Sequence, residues 1–193
     1  MSPSLVAVLT ALALGESAAP PPEPPSSSAL RRAAEAGGKA WVRVLGTGSA
    51  PGVLVGADGQ VLTPGTLVHG SAALVEVGGT QRPARVLERL PTLGLVLLAI
   101  DGEGPFPAPP ARLEPIASGE WVIGIGEGGK SPLLGRVTRT GSGPWFDVSL
   151  RLPPGSPVLD GQARLVGVVT TRRTSSSRVA ALASVRAQLG RPP

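Results

Sequence analysis

Residues 52–63 read GVLVGADGQVLT, and this stretch sets the reading of the whole chain. Two apolar runs, 52–56 and 60–63, flank Ala57-Asp58-Gly59, where Asp-Gly supplies positive φ at little steric cost. The pattern is a β-hairpin. The same rhythm extends outward to 41–46 (WVRVLG), 73–77 (ALVEV), 82–88 (RPARVLE) and 95–100 (LVLLAI). Residues 101–118 are rich in Pro and Gly and read as a surface connector. A second group follows at 120–126 (EWVIGIG), 133–140 (LLGRVTRT), 145–150 (WFDVSL), 157–159, 163–170 (ARLVGVVT) and 177–181. Short strands separated by regular turn signals predict an all-β protein, and six, connector, six predicts two β-barrels side by side. Residues 184–189 (SVRAQL) place Val185 and Leu189 at helical spacing before Gly190, which predicts one short C-terminal helix.

Composition narrows the chemistry. Of 193 residues, 27 are Gly and 22 are Pro, yet 41% are hydrophobic, enough for a folded core. Aromatics are confined to Trp41, Phe106, Trp121, Trp145 and Phe146, so that core must be built from Val, Leu, Ile and Ala. With no Cys, a disulfide framework, a thiol nucleophile and Cys-ligated zinc are excluded. His69 is the single histidine, so any imidazole chemistry must pass through it. No cofactor motif is found. Gly124 to Lys130 is glycine-rich but lacks phosphate-loop spacing and reads as a turn. Asp58, Asp101 and Asp160 each precede a glycine and read as turn residues.

The 18 basic residues outnumber the 13 acidic ones, a formal charge of +5, and all but Lys39 and Lys130 are arginine. The arginines are scattered, adjacent only at 31–32 and 172–173, with no stacking aromatics between them. A dedicated nucleic-acid role is therefore not favoured.

The first forty residues divide into three. Residues 5–14 (LVAVLTALAL) are an apolar run too short to span a membrane but long enough for the core of an export signal. Small residues at 17–19 supply a cleavage site, so 1–19 is expected to be a signal peptide, and the mature protein periplasmic or extracellular. Residues 20–28 (PPPEPPSSS) read as an extended, solvated spacer. Residues 29–36 (ALRRAAEA) form a helix candidate stopping at Gly37-Gly38, with the barrel domain occupying 40–193.

In order, the segments 52–63, 82–101, 120–126, 135–141 and 157–168 resemble the trypsin-like serine proteases of the HtrA/Deg branch. The resemblance implies two six-stranded barrels with an active site in the cleft between them. The PDZ domain that follows the barrels in that family is not expected here. Position by position, the resemblance also implies a lost triad. The family's histidine follows Leu-Thr after two residues, and here Leu62-Thr63-Pro64-Gly65 leads to Thr66. The aspartate opens the run matched by 95–101, which puts Gly94 in its place. The serine precedes Gly-Gly-Pro, and with Pro157 as that proline its position is Pro154. The family's oxyanion donors are the backbone N–H of the nucleophile and of the residue two before it. Proline has no N–H, so one donor goes with Pro154.

The expectation is therefore a catalytically silent protease homologue that binds a peptide or protein partner. Two alternatives stay open. One is an active endopeptidase with a relocated site built from His69 and Ser71 or Ser156. The other is a basic surface that binds nucleic acid or an acidic polymer.

Overall fold

The computed structural model describes residues 22–190. The expected signal peptide at 1–19 lies outside them. Helix α1 (Ser27–Ala40) leads into twelve strands. The first six are β1 (Trp41–Leu45), β2 (Ser49–Leu54), β3 (Gln60–Pro64), β4 (Ala72–Val77), β5 (Thr80–Leu90) and β6 (Leu95–Ile100). The second six are β7 (Trp121–Ile125), β8 (Pro132–Thr140), β9 (Trp145–Val148), β10 (Pro157–Leu159), β11 (Leu165–Arg172) and β12 (Ser177–Ala181), and α2 (Leu182–Leu189) follows them.

Each group of six closes into an antiparallel barrel, in the order β1-β2-β3-β6-β5-β4 and β10-β11-β12-β9-β8-β7. Closure leaves no open sheet edge. The hairpin that anchored the sequence reading is present: Gly59 has φ 83°, its N–H donates to Gly56, and Val55 N–H donates to Gln60. Strand β6 (LVLLAI) is buried at every position, which explains its unbroken apolar run. Its core cluster takes in Leu165, Val168 and Ala180 of the second barrel and Leu182 and Val185 of α2, so the two barrels share apolar surface.

The N-terminal region differs from its sequence reading. The helix expected over 29–36 runs from Ser27 to Ala40, straight through Gly37 and Gly38. Those glycines mark close packing. A Cβ at Gly37 would collide with Ile125 and come within 2.8 Å of Leu159. Through this contact α1 covers one end of the second barrel, with Ala33 fully buried against Ile123, Ile125 and Leu159. The segment before it is not a free spacer either, because Trp121 Nε1 donates to the Pro22 carbonyl at 2.8 Å.

Candidate functional site

The site is assembled where β2 and β3 part. Their pairing is confined to Val53 with Leu62 and Leu54 with Val61, which leaves the first half of β2 unpaired with β3. Pro51 occupies that unpaired half, where a missing N–H breaks no β3 bond, and its carbonyl accepts from the buried Thr63 hydroxyl at 3.0 Å. Pro64 ends β3, and a single 3-10 turn (Gly65–Leu67) carries Thr66 outward.

Gly94 is tied to this turn. It ends a second 3-10 turn in the left-handed region (φ 68°, ψ 24°), and its carbonyl accepts from Gly65 N–H at 2.9 Å. The third element comes from the second barrel. Pro153-Pro154-Gly155-Ser156 is a β-turn, with Ser156 N–H donating to the Pro153 carbonyl at 3.2 Å. Pro154 at the second position and Gly155 (φ 92°) at the third are the residues a type II turn demands. Gly155 N–H to the Val169 carbonyl (2.7 Å) and Val169 N–H to the Ser156 carbonyl (3.0 Å) pin the turn to β11. It presses against the first barrel so closely that a Cβ on Gly155 would collide with the Pro51 carbonyl oxygen.

Thr66 and Pro154 thus face one cavity of about 370 Å³, walled also by Pro51, Pro64, Leu67 and Pro153. No charged side chain or imidazole lines it; its hydroxyls are those of Thr47, Ser49 and Thr66, and Thr47 Oγ1 donates to the Leu67 carbonyl at 3.4 Å. At Pro154 there is no N–H. Two residues earlier, Leu152 is fully buried, and its N–H donates at 3.0 Å to the Oγ of Ser177, itself fully buried.

The residues of the relocated-site alternative lie apart from this cavity. His69 is exposed, in a loop whose carbonyls at Val68, His69 and Gly70 all accept from the Arg89 guanidinium at 2.7–3.2 Å. Ser71 is exposed beyond it. Ser156 is fully buried, and its hydroxyl has no hydrogen-bond partner among the described residues. Asp101 is exposed and pairs with Arg85 at 3.1 Å.

Asp160 does more than make a turn. It is buried, and its Oδ1 accepts from the N–H groups of Gln162 and Arg164. Arg164 Nε and Arg112 Nη1 reach its Oδ2 at 2.9 and 3.8 Å. Arg112 also forks onto Glu120 at 2.8 and 3.2 Å. Burial opposes ionisation of Glu120, but the Arg112 hydrogen bond, the Ala117 N–H and the charges of Arg112 and Arg164 outweigh it and hold the carboxyl below its ordinary value. Sequence reasoning missed this network, because its members are far apart in the chain and no spacing links them.

Two antiparallel six-stranded barrels meeting at a cleft, with one loop of each facing across it, define the trypsin-like class. The chain belongs to the family described as the trypsin-like peptidase domain, whose model matches residues 48–168. No curated protein matches. Among solved structures, the Rv3671c protease in an inactive form is similar at 19% identity, covering 86% of this chain and 96% of that one with a TM-score of 0.67. A serine-to-alanine mutant of Rv3671c from M. tuberculosis H37Rv, also in an inactive form, gives 20% identity, coverage of 88% and 97%, and a TM-score of 0.69. The serine endoprotease from Yersinia pestis gives 18% identity, coverage of 86% and 66%, and a TM-score of 0.73. At these identities it is the fold that is shared.

Proposed function

We propose that this chain is an exported, catalytically silent trypsin-like protease homologue, on the HtrA-like side of the family, that holds a peptide segment in the cleft between its barrels. The observation that carries this reading is the chemistry of the cleft walls. Acyl transfer needs a nucleophile within hydrogen-bond reach of a base, and donors aimed at the developing oxyanion. Here Thr66 and Pro154 face the cavity, the only imidazole sits outside it, and the Leu152 N–H is already engaged by Ser177. What the cleft offers is an uncharged, proline-walled surface with space for apolar side chains. Prolines present rigid apolar area, so little conformational entropy is lost when a peptide docks.

Two measurements test the reading. Fluorophosphonate should not label the purified protein, and fluorescein-labelled β-casein should bind without being cut. Thr66→Trp, which fills the cavity mouth, should abolish that binding. Covalent labelling of a single serine would defeat the silent-homologue reading, and casein binding indifferent to Thr66→Trp would defeat the cleft.

A further inference from the structure

The outer face of the second barrel carries an excess of arginine around one buried carboxylate. Strand register puts Asp147 of β9 between Arg139 of β8 and Arg178 of β12. Arg178 Nε donates to Asp147 Oδ1 at 3.2 Å, and Arg173 Nη1 donates to Oδ2 at 3.1 Å. Each guanidinium spends one nitrogen on Asp147, and the Asp147 side chain is only 8% exposed while those of Arg173 and Arg178 remain 40% and 37% exposed. Arg139 makes no ion pair among the described residues. Three cations therefore surround one anion, and two positive charges are left over. Arg139, Arg178 and Asp147 itself line a cavity of about 160 Å³ together with Gly141, Gly143, Phe146 and the Trp145 ring, over which the Arg178 guanidinium lies at 5.9 Å, so the cavity wall carries one net positive charge.

We infer that this pocket is a docking site for an acidic polypeptide segment, seating one carboxylate between Arg139 and Arg178. Asp147 already displays the geometry, one oxygen to each of two arginines, and the unspent N–H groups of Arg139 and Arg178 can repeat it for an incoming Asp or Glu. Arginine suits this role because its planar fork stays charged and binds carboxylates directionally. Glycine at 141 and 143 adds no side chain to the cavity beyond those of Trp145 and Phe146. The cavity has the volume of a single oxyanion with a short stem, and two arginines line it. A nucleic-acid backbone calls instead for a row of cations, with aromatic faces free to stack on bases, whereas Trp145 is partly covered by Arg178.

The test titrates a short fluorescein-labelled oligoglutamate into the whole protein at about 0.15 M salt, where diffuse surface attraction is largely screened. Saturable binding is expected, weakened about tenfold by Arg139→Gln or Arg178→Gln, the loss of one charge-assisted hydrogen bond. Arg43→Gln, on an exposed position of the first barrel, and Thr66→Trp should leave it unchanged. Arg178 also covers Asp147, so its replacement can disturb folding. Arg139 has no such duty, and thermal unfolding of Arg139→Gln should match that of the parent. Three outcomes would overturn the assignment: no saturable binding, an equal loss in Arg43→Gln, or tighter binding of duplex DNA with the same dependence on Arg139.

Discussion

The backbone N–H of Leu152 and the hydroxyl of Ser177, 25 residues apart, are joined at 3.0 Å inside the second barrel. The same hydroxyl lies 3.4 Å from the Leu152 carbonyl, so Ser177 satisfies both polar groups of a fully buried residue. This turns the approach to the Pro153–Ser156 turn inward, with Leu152 and Leu150 packed where Cβ atoms on Gly124 and Gly135 would otherwise stand. A backbone donor fixed in this way is not available to a ligand in the cleft. This stretch of the loop therefore acts as core, and Gly124 of β7 and Gly135 of β8 leave the room that its leucines fill.

Ser177→Ala should destabilise the domain by about 1–3 kcal/mol, the cost of leaving a buried donor unsatisfied. On the proposed reading the freed Leu152 N–H should not create any activity, because Pro154 still stands at the matched nucleophile position. Urea denaturation measures the first expectation and fluorophosphonate labelling the second. A neutral Ser177→Ala would mean that water or another group replaces the hydroxyl.

Gly155→Ala addresses the turn itself. At φ 92° an alanine is strained by about 1–3 kcal/mol. Its Cβ would also meet the Pro51 carbonyl and approach Pro64 Cδ to 2.9 Å, atoms that cannot rotate away. The expected result is a loss larger than strain alone, with the two barrels separating at the cleft. Pro154→Ser in the same turn should cost only about 0.4–1 kcal/mol, because it merely loosens the unfolded chain. If the two variants prove equally stable, the turn is not seated against β2 as described.

Much of this architecture was legible in the sequence, since its strands obey local rules. Period, turn residues and the all-apolar β6 marked twelve strands and the division between barrels. Helix α1 was misread at its end because Gly37-Gly38 is a stop signal by propensity, whereas the approach of Ile125 and Leu159 to Gly37 and of the Gly129 carbonyl to Gly38 makes glycine necessary inside the helix. Thr66, Gly94 and Pro154, which the resemblance matched to the triad positions, lie close together in the fold, Thr66 and Pro154 at one cavity and Gly94 through Gly65. The Ser177 cap, the Arg112 network and the Asp147 cluster were invisible. Each joins residues that only barrel closure makes neighbours.

Barrel packing can be tested at Ile123 and Leu97, one in each barrel. Ile123 is fully buried beneath α1, and Leu97 is 4% exposed in β6. Truncation of either to alanine should cost about 2–5 kcal/mol. Ile123→Ala should in addition loosen α1, since Ile123 shares a cluster with Ala33 and Leu159. Hydrogen exchange would show this as reduced protection in Ser27–Ala40, with little change in β1–β6. Uniform loss across both barrels would argue that α1 is not a separable cover.

Acid should act through Glu120. Because its folded-state carboxyl titrates below the ordinary value, the ion pair with Arg112 stabilises the protein above the unfolded-state pKa of about 4.3. That contribution is lost as pH falls through the lower, folded-state value. The urea midpoint of the parent should fall with acidification in this range. Glu120→Gln should be less stable at neutral pH and should show a shallower acid dependence. Parallel curves for the two proteins would assign acid sensitivity to other carboxylates.

On the proposed reading, placing the family's residues at the three matched positions should not yield an active protease. Thr66→His, Gly94→Asp and Pro154→Ser together would supply an imidazole, an acid and a hydroxyl at the three positions. Thr66 and Pro154 share a cavity, so the histidine and serine would face the same space. Gly94, however, has φ 68°, and an aspartate there carries backbone strain that glycine avoids. Pro153 still stiffens the turn, and Leu152 N–H still points to Ser177. Removing triad members from an active enzyme leaves roughly 10³–10⁴ over water because the oxyanion hole persists. On the proposed reading the triad and the N–H of residue 154 would return while the second donor, at Leu152, stays engaged by Ser177, and each donor is worth about 10²–10³ in rate. The triple variant should therefore cleave peptide esters at no more than a trace above background. Adding Pro153→Gly and Ser177→Gly, to free the loop and the Leu152 N–H, should raise that rate further than either change does alone. A triple variant that already takes up fluorophosphonate at the rate of an active protease would show that the Leu152–Ser177 bond opens readily and that Pro154 alone keeps the cleft silent.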